Sequence, residues 1–306
     1  MTPGCSRRDP ADGALKPLQK LKPVFIGIYP LVAAATTVAA LVMLASGHWS
    51  RVWLGALLAA TPFVGLFIRA VTSRSMARTS HSLPLLAAAT AAGGGIALWG
   101  YLTEPGASLA GLVLALANVA GFFLFDFWYS SFGRRINEQL AAGRPLPDFT
   151  CEDLEGNPVG PEHMRGKPAL YMFFRGNWCP FCQAQVREIT DRYRQLMDRG
   201  VEVVLISPQP PDLTRRVAEF FKVPFRFWVD RDLRAARALD IVDEYGVPGG
   251  KLARTHGPHT VMPTVVITDA EGTIVYTDQT ETYRVRPEPD VFLRVIDSHK
   301  LGVSVS

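Results

Sequence analysis

Cysteine is scarce in this sequence, with four in 306 residues at Cys5, Cys151, Cys179 and Cys182. So few, so unevenly spaced, exclude a small fold stapled by disulfides. Acidic residues are scarce in one half only. Residues 1–144 hold 5 Asp+Glu against 12 Lys+Arg, whereas residues 145–306 hold 23 against 20. The overall 48% hydrophobic and 20% charged composition therefore averages two kinds of polypeptide. The basic surplus flanks uncharged apolar runs, which marks membrane borders and disfavours nucleic-acid binding. A glycine fingerprint at a strand-to-helix junction is missing, so no nucleotide cofactor is expected, and no cofactor of any other kind. A second Cys-x-x-Cys or a spaced His pair is missing too, which argues against a metal site. The amino terminus is not expected to be a cleavable secretory signal, because its apolar run is too long and has no convincing cleavage site. Cys5 lacks the apolar segment that precedes a lipoprotein cysteine.

What the first half does have is long apolar stretches. A helix needs about 20 apolar residues to cross the hydrocarbon core, where unpaired amides cannot be hydrated. Residues 23–46, 52–68, 83–102 and 107–125 each meet that requirement and predict four transmembrane helices. The chain then divides into a basic tail at 1–22, a four-helix membrane domain at 23–130, a linker at 131–146 and an α/β domain at 147–300. Arg7, Arg8, Lys16, Lys20, Lys22, Arg69, Arg74, Arg78, Arg134, Arg135 and Arg144 fall on one side of the spans, and Arg51 alone falls on the other. Basic loops stay in the cytoplasm, so a multi-pass protein of the plasma or inner membrane is expected, with its α/β domain on the cytoplasmic side. Residues 23–130 contain no cysteine, and His48 and His81 fall on opposite faces, so neither a thiol relay nor a paired-histidine haem fits. The bilayer half reads as an anchor or a partner-binding surface. Asp126, at the edge of the fourth span, is expected to snorkel toward the headgroups.

From Gly143 onward short apolar runs alternate with amphipathic ones. Residues 169–174 predict a strand buried on both faces, and residues 183–199 carry apolar residues at helical spacing until Gly200 stops them. Strands are expected at 201–207, 225–229, 264–268 and 273–277. Helices are expected at 212–222, with Asp212 as cap, and at 232–239 and 289–298. Strands alternating with helices give a three-layer α/β/α sandwich.

The chemistry concentrates at Cys179-Pro-Phe-Cys182, between the first buried strand and its helix. A cysteine at a helix start meets free amides and the positive end of the helix dipole, which favour the thiolate. Cys182 lies within one turn, close enough to displace a group from Cys179 and form a disulfide with it. Trp178 shields one side and Pro180 shapes the first turn. Cys151 and Cys5 are isolated and read as inert, although the first hairpin could bring Cys151 near the active face.

Pro147-Asp-Phe-Thr150, Gly156-Asn-Pro-Val159, Arg165-Gly-Lys-Pro168 and Arg175-Gly-Asn-Trp-Cys-Pro-Phe-Cys182 together resemble the redoxin branch of the alkyl hydroperoxide reductase/thiol-specific antioxidant family, a peroxiredoxin-like group in the thioredoxin-like superfamily. The resemblance spans about residues 145–300. It implies a thioredoxin fold, an antioxidant role and a redox disulfide between Cys179 and Cys182. Met262-Pro263-Thr264 is similar to the cis-proline loop of thioredoxins, which implies that Met262 and Pro263, with Trp178, bind substrate. Tyr283-Arg-Val-Arg-Pro287 is also similar to peroxiredoxin-like members, with Arg286 read as a support for the fold or for an anion, the fold being favoured.

Departures from the family pattern separate its two activities. Peroxiredoxins carry a Thr or Ser three residues before the attacking cysteine and an Arg beside it, whereas Gly176 and Pro263 stand at the matching positions here. His256 and His259 are candidates for proton transfer. The leading expectation is a membrane-anchored thiol-disulfide oxidoreductase that acts on protein disulfides and draws electrons from a thioredoxin-type donor. The alternatives are a hydroperoxide reductase and a scaffold that binds partners without turnover.

Overall fold

The computed structural model describes residues 18–72, 82–134 and 136–302. Arg7, Arg8, Lys16, Arg74, Arg78, Arg135, Cys5 and His81 lie outside them. Four long helices come first: α1 (Lys22–Ala45), α2 (Arg51–Thr72), α3 (Pro84–Thr103) and α4 (Leu109–Phe123). Pro23 and Pro84 sit in first turns, where a missing N–H costs nothing. All four helices are long and apolar enough to cross a membrane, the last when taken through Tyr129. Small residues let them pack closely. A Cβ on Gly55 would sit 2.4 Å from the Ala97 nitrogen, and one on Gly93 2.4 Å from the Ala59 nitrogen, so any side chain would force α2 and α3 apart. Asn118 on α4 donates to Thr36 Oγ1 at 3.0 Å and ties that helix to α1.

The end of α4 departs from expectation. It widens into a π-helical turn at Leu124–Tyr129, and Asp126 turns inward instead of snorkelling. Its Oδ1 lies 2.6 Å from Arg284 Nη2, with both side chains fully or nearly buried. Its Oδ2 accepts the Leu83 N–H at 3.3 Å. A buried acid is tolerated there because a guanidinium from the α/β half meets it. The stretch expected as a linker is also fastened down. Phe132 donates to the Glu281 carbonyl at 2.8 Å, and Gly143 to that of Ile274 at 2.7 Å.

The α/β half is built on a seven-stranded sheet of order β2-β1-β5-β4-β3-β8-β9. These strands are β1 (Cys151–Glu152), β2 (Pro158–Val159), β3 (Ala169–Phe173), β4 (Glu202–Ser207), β5 (Arg226–Val229), β8 (Thr264–Thr268) and β9 (Ile274–Asp278). β3, β4 and β5 run parallel, while β8 runs antiparallel to β3. Alternation along β3 sends Leu170 and Met172 into one core and Ala169, Tyr171 and Phe173 into the other, so every residue of the strand is buried. The first core is covered by α5 (Pro180–Asp191), α6 (Tyr193–Met197), α7 (Pro211–Phe221) and α10 (Pro289–Ser298). The second is covered by α8 (Arg234–Ala238), with Leu140 and Leu239. This is a thioredoxin-like α/β arrangement.

Three local expectations need correcting. The helix after the dithiol breaks at Arg192 before resuming as α6. The N-cap of α7 is Pro210, and Asp212 lies in its first turn, where its charge suits the helix dipole without capping it. The two-stranded pair β6 (Val242–Asp243) and β7 (Thr260–Val261), with α9 (Lys251–His256) between them, was not anticipated, because two-residue strands carry no readable period.

Candidate active site

The site forms where β3 hands over to α5. The connecting loop turns at Gly176, whose φ of +140° disfavours any side chain. A Cβ there would lie 2.9 Å from Trp178 Nε1 and 3.2 Å from Gln209 Oε1. The position where peroxiredoxins place a hydroxyl is thus closed to one by backbone and packing together. Gln209 Oε1 accepts the Asn177 N–H at 2.8 Å, and Thr260 Oγ1 donates to the Arg175 carbonyl at 3.2 Å, so the segment after β4 and the strand β7 both hold the loop.

Cys179 is the N-cap of α5 and Pro180 is its first residue, which places the sulfur at the positive end of the helix. Cys179 and Cys182 are both free and buried, Cys179 being 2% exposed. A hydrogen bond from the Cys182 thiol lowers the Cys179 pKa to about 6, helped by the charges of Arg175 and Arg286 and opposed by burial. Cys182 moves the other way: burial raises it well above the ordinary thiol value, and its bond to Cys179 adds to the rise. One sulfur is set to attack while its neighbour keeps a proton.

Two arginines supply the positive field. Arg175 is 4% exposed and stacks over the rings of Trp178 (4.9 Å) and Tyr283 (5.6 Å). Its Nη2 lies 3.3 Å from Asp243 and donates to the Gly246 carbonyl. Burial alone would weaken its hold on the proton, but Asp243 and Cys179 reverse this and keep it charged. Arg286 is buried and donates to the Val285 carbonyl at 2.7 Å, while its Nε and Nη2 have no hydrogen-bond partner among the described residues. Its charge favours the thiolate form of both Cys179 and Cys182. Asp243 carries no sequence signal, because β6 brings it from about 60 residues away.

The remaining candidates separate. Trp178 lies beside Cys179 in the wall of one cavity, with its ring edge-on to His256 at 6.3 Å. Burial lowers the His256 pKa, which keeps the ring neutral. His259 accepts the Tyr245 N–H at 3.2 Å. The Met262–Pro263 peptide is trans, against the cis loop expected. Met262 packs on the second core with its N–H bonded to the Ile241 carbonyl at 2.7 Å, and Arg134 donates to the Pro263 carbonyl at 3.5 Å. Both residues lie outside the wall of the cavity that Cys179 lines. Cys151 is in the second core, across the sheet from the dithiol, and does not approach the active face. Burial raises its pKa. No cluster of three or more metal-ligating side chains occurs among the described residues.

The AhpC/TSA family profile matches residues 142–277, the stretch that carries β3, the dithiol and β8. Residues 142–277 are an AhpC/TSA family domain. Over 164 residues the chain is 25% identical to the thiol-disulfide oxidoreductase ResA of Bacillus cereus, covering 54% of this chain and 82% of that one. It is 27% identical to the chloroplastic peroxiredoxin Q of Sedum lineare over 164 residues, or 53% of this chain and 81% of that one. Among solved structures, peroxidoxin BcpB from Mycobacterium tuberculosis superposes with a TM-score of 0.43 at 17% identity, covering 52% of this chain and 97% of that one. The sequence relatives are oxidoreductase enzymes of two kinds, thiol-disulfide oxidoreductases and peroxiredoxins. Like these relatives, this chain is an oxidoreductase.

Proposed function

We propose that the protein is a membrane-anchored thiol-disulfide oxidoreductase in which Cys179 attacks and Cys182 resolves. The observation that carries this reading is the opposite tuning of two adjacent buried sulfurs, Cys179 lowered to about 6 and Cys182 raised. At neutral pH the Cys179 thiolate attacks a substrate disulfide, forming a mixed disulfide and releasing one substrate thiolate. Cys182 then attacks Cys179, the intramolecular disulfide forms, and the second substrate thiol leaves. A thioredoxin-type dithiol protein returns two electrons and completes the cycle. Helices α1 to α4 hold the domain at a bilayer, and the bias of basic residues puts it on the cytoplasmic side. A reporter fused after Ser306 and active only outside the cytoplasm would reverse that topology.

The test is turnover of the full chain in lipid nanodiscs with a protein disulfide as substrate. Full turnover by Cys179→Ser would sink the reading. Oxidation by hydrogen peroxide is measured beside it, because Arg175 and Arg286 near Cys179 also suit a hydroperoxide reductase in which Cys179 becomes a sulfenate and condenses with Cys182. Cys179-dependent oxidation far above the rate of a free thiol would select that second reading.

A further inference from the structure

The thiol pair does not open only toward water. Cys179, Pro180 and Phe181 form one wall of a cavity of about 300 Å³ whose opposite wall is helix α1, at Ile26, Gly27, Pro30 and Leu31, and helix α2, at Phe63, Leu66 and Phe67. Leu31 is 69% exposed and Phe67 47% exposed on the flank of the helical bundle, so the cavity reaches the surface that would face lipid. Its volume is at the lower end of what small-molecule sites enclose. A cavity serving only as a hydrophobic seam between two halves would be filled by side chains.

Its lining says what fits. Phe63, Phe67, Phe125, Phe181 and Tyr283 surround it with rings, which favour a flat π system over a flexible acyl chain. One cation interrupts them. Arg175 lines the cavity, nine-tenths buried, and its Nε has no hydrogen-bond partner among the described residues. An apolar ring with a carbonyl oxygen at one end would satisfy that donor next to the Cys179 sulfur. A lipid hydroperoxide matches less well, since Gly176 leaves out the hydroxyl that would polarise its O–O bond.

We propose that this cavity admits a lipid-soluble quinone from the bilayer, and that the quinone accepts electrons from the Cys179–Cys182 dithiol. The proposal rests on the dithiol reading above and names an oxidant for it. The Cys179 sulfur adds to the quinone ring and a C–S bond forms. Cys182 then attacks that sulfur, the S–S bond forms as the C–S bond breaks, and the electron pair stays on the ring. With the two thiol protons the ring becomes a hydroquinone, so dithiol plus quinone gives disulfide plus hydroquinone.

The experiment uses the reduced full chain in nanodiscs under anaerobic conditions, with a decyl-substituted benzoquinone and, separately, oxidised glutathione as oxidants. Quinone absorbance and trapping of the Cys179–Cys182 disulfide are read together. Gly27→Trp places a ring at the cavity wall, where an added Cβ meets nothing within 4 Å, and Leu31→Trp is a second blocking variant at the rim. The expected result is stoichiometric oxidation by the quinone, at a rate that falls at least tenfold in the blocking variants relative to the glutathione rate of the same preparation. Reaction with oxidised glutathione but not with the quinone would overturn the proposal and leave the dithiol function standing. Reaction with neither would overturn the dithiol function as well. Quinone oxidation unaffected by both blocking variants would show entry by another route and overturn the cavity assignment. Cavity-dependent oxidation by linoleic acid hydroperoxide, with the quinone inert, would replace the quinone by a lipid hydroperoxide.

Discussion

Two cysteines of this domain are almost equally buried, Cys179 at 2% and Cys151 at 3% exposure, yet their thiols shift in opposite directions. They lie in the cores on opposite sides of one sheet. Cys151 belongs to the same core as Phe149, Tyr171 and Trp228, and desolvation acts on it almost alone, with Asp230 and Glu152 adding negative charge. Around Cys179 are a thiol donor, a helix start and two guanidinium groups. Burial makes a thiol inert unless the pocket supplies donors and positive charge to stand in for water. The difference between the two sites is therefore in the neighbours and not in exposure.

The bluntest way to break this comparison is to remove each sulfur in turn. Cys179→Ser is expected to lower protein-disulfide turnover by about 1,000-fold or more, a loss typical of removing the attacking group. Cys151→Ser is expected to stay within about twofold, as for a side chain outside the reacting set. Steady-state turnover in nanodiscs checks both. Equal losses would mean that Cys151 takes part in the cycle.

Next comes the source of the tuning. Cys182→Ala removes the strongest influence on the Cys179 thiolate. The pH midpoint for alkylation of Cys179 is expected to rise from about 6 toward the ordinary thiol value near 8.5. The sign follows from which form reacts: thiolate chemistry is present above the midpoint and lost as pH falls through it. The wild-type protein thus stays reactive at pH 7, where the variant has lost most of its thiolate. A stable mixed disulfide should accumulate in the variant, visible by mass spectrometry.

Much of this contrast is legible in the chain. The run at 169–174, the dithiol and the following helix fix a thiolate at a helix start from order alone, and the isolation of Cys151 marks it as inert. The charge environment is less legible. Arg175 and Arg286 stand in segments that the sequence singles out, yet nothing in spacing says that both reach the same sulfur. Asp243 arrives on a two-residue strand without a periodic signature. Asp126 reads as an interfacial acid because its partner, Arg284, is about 160 residues away, and only the π-helical turn brings the two together. Long-range pairing of single charges leaves no local pattern to read.

That pairing gives a third way to sharpen the comparison. Asp126→Asn removes one member of a buried ion pair and is expected to cost about 3–5 kcal/mol. Because the pair fastens the α/β half to the helices, and α1 and α2 wall the cavity beside Cys179, loosening it should expose Cys179 but not Cys151. Alkylation at pH 7 is expected to speed up severalfold at Cys179 and stay unchanged at Cys151. A parallel rise at both would indicate general unfolding instead of undocking.

The smallest expected effect comes from Arg286→Met. Its charge favours the Cys179 thiolate through space, behind both the Cys182 hydrogen bond and the charge of Arg175. The alkylation midpoint of Cys179 should therefore rise by less than in Cys182→Ala, and that of Cys151 should not move. Arg286 also opposes the upward shift of Cys182, so its removal drives that thiol higher still and slows resolution more than attack. Stopped-flow mixing with a small aromatic disulfide separates the two steps: a fast release of the first thiol, little changed, followed by a slower release of the second. If the first step slows as much as in Cys182→Ala, the arginine and not the thiol donor sets the reactivity of Cys179, and the contrast with Cys151 is one of charge alone.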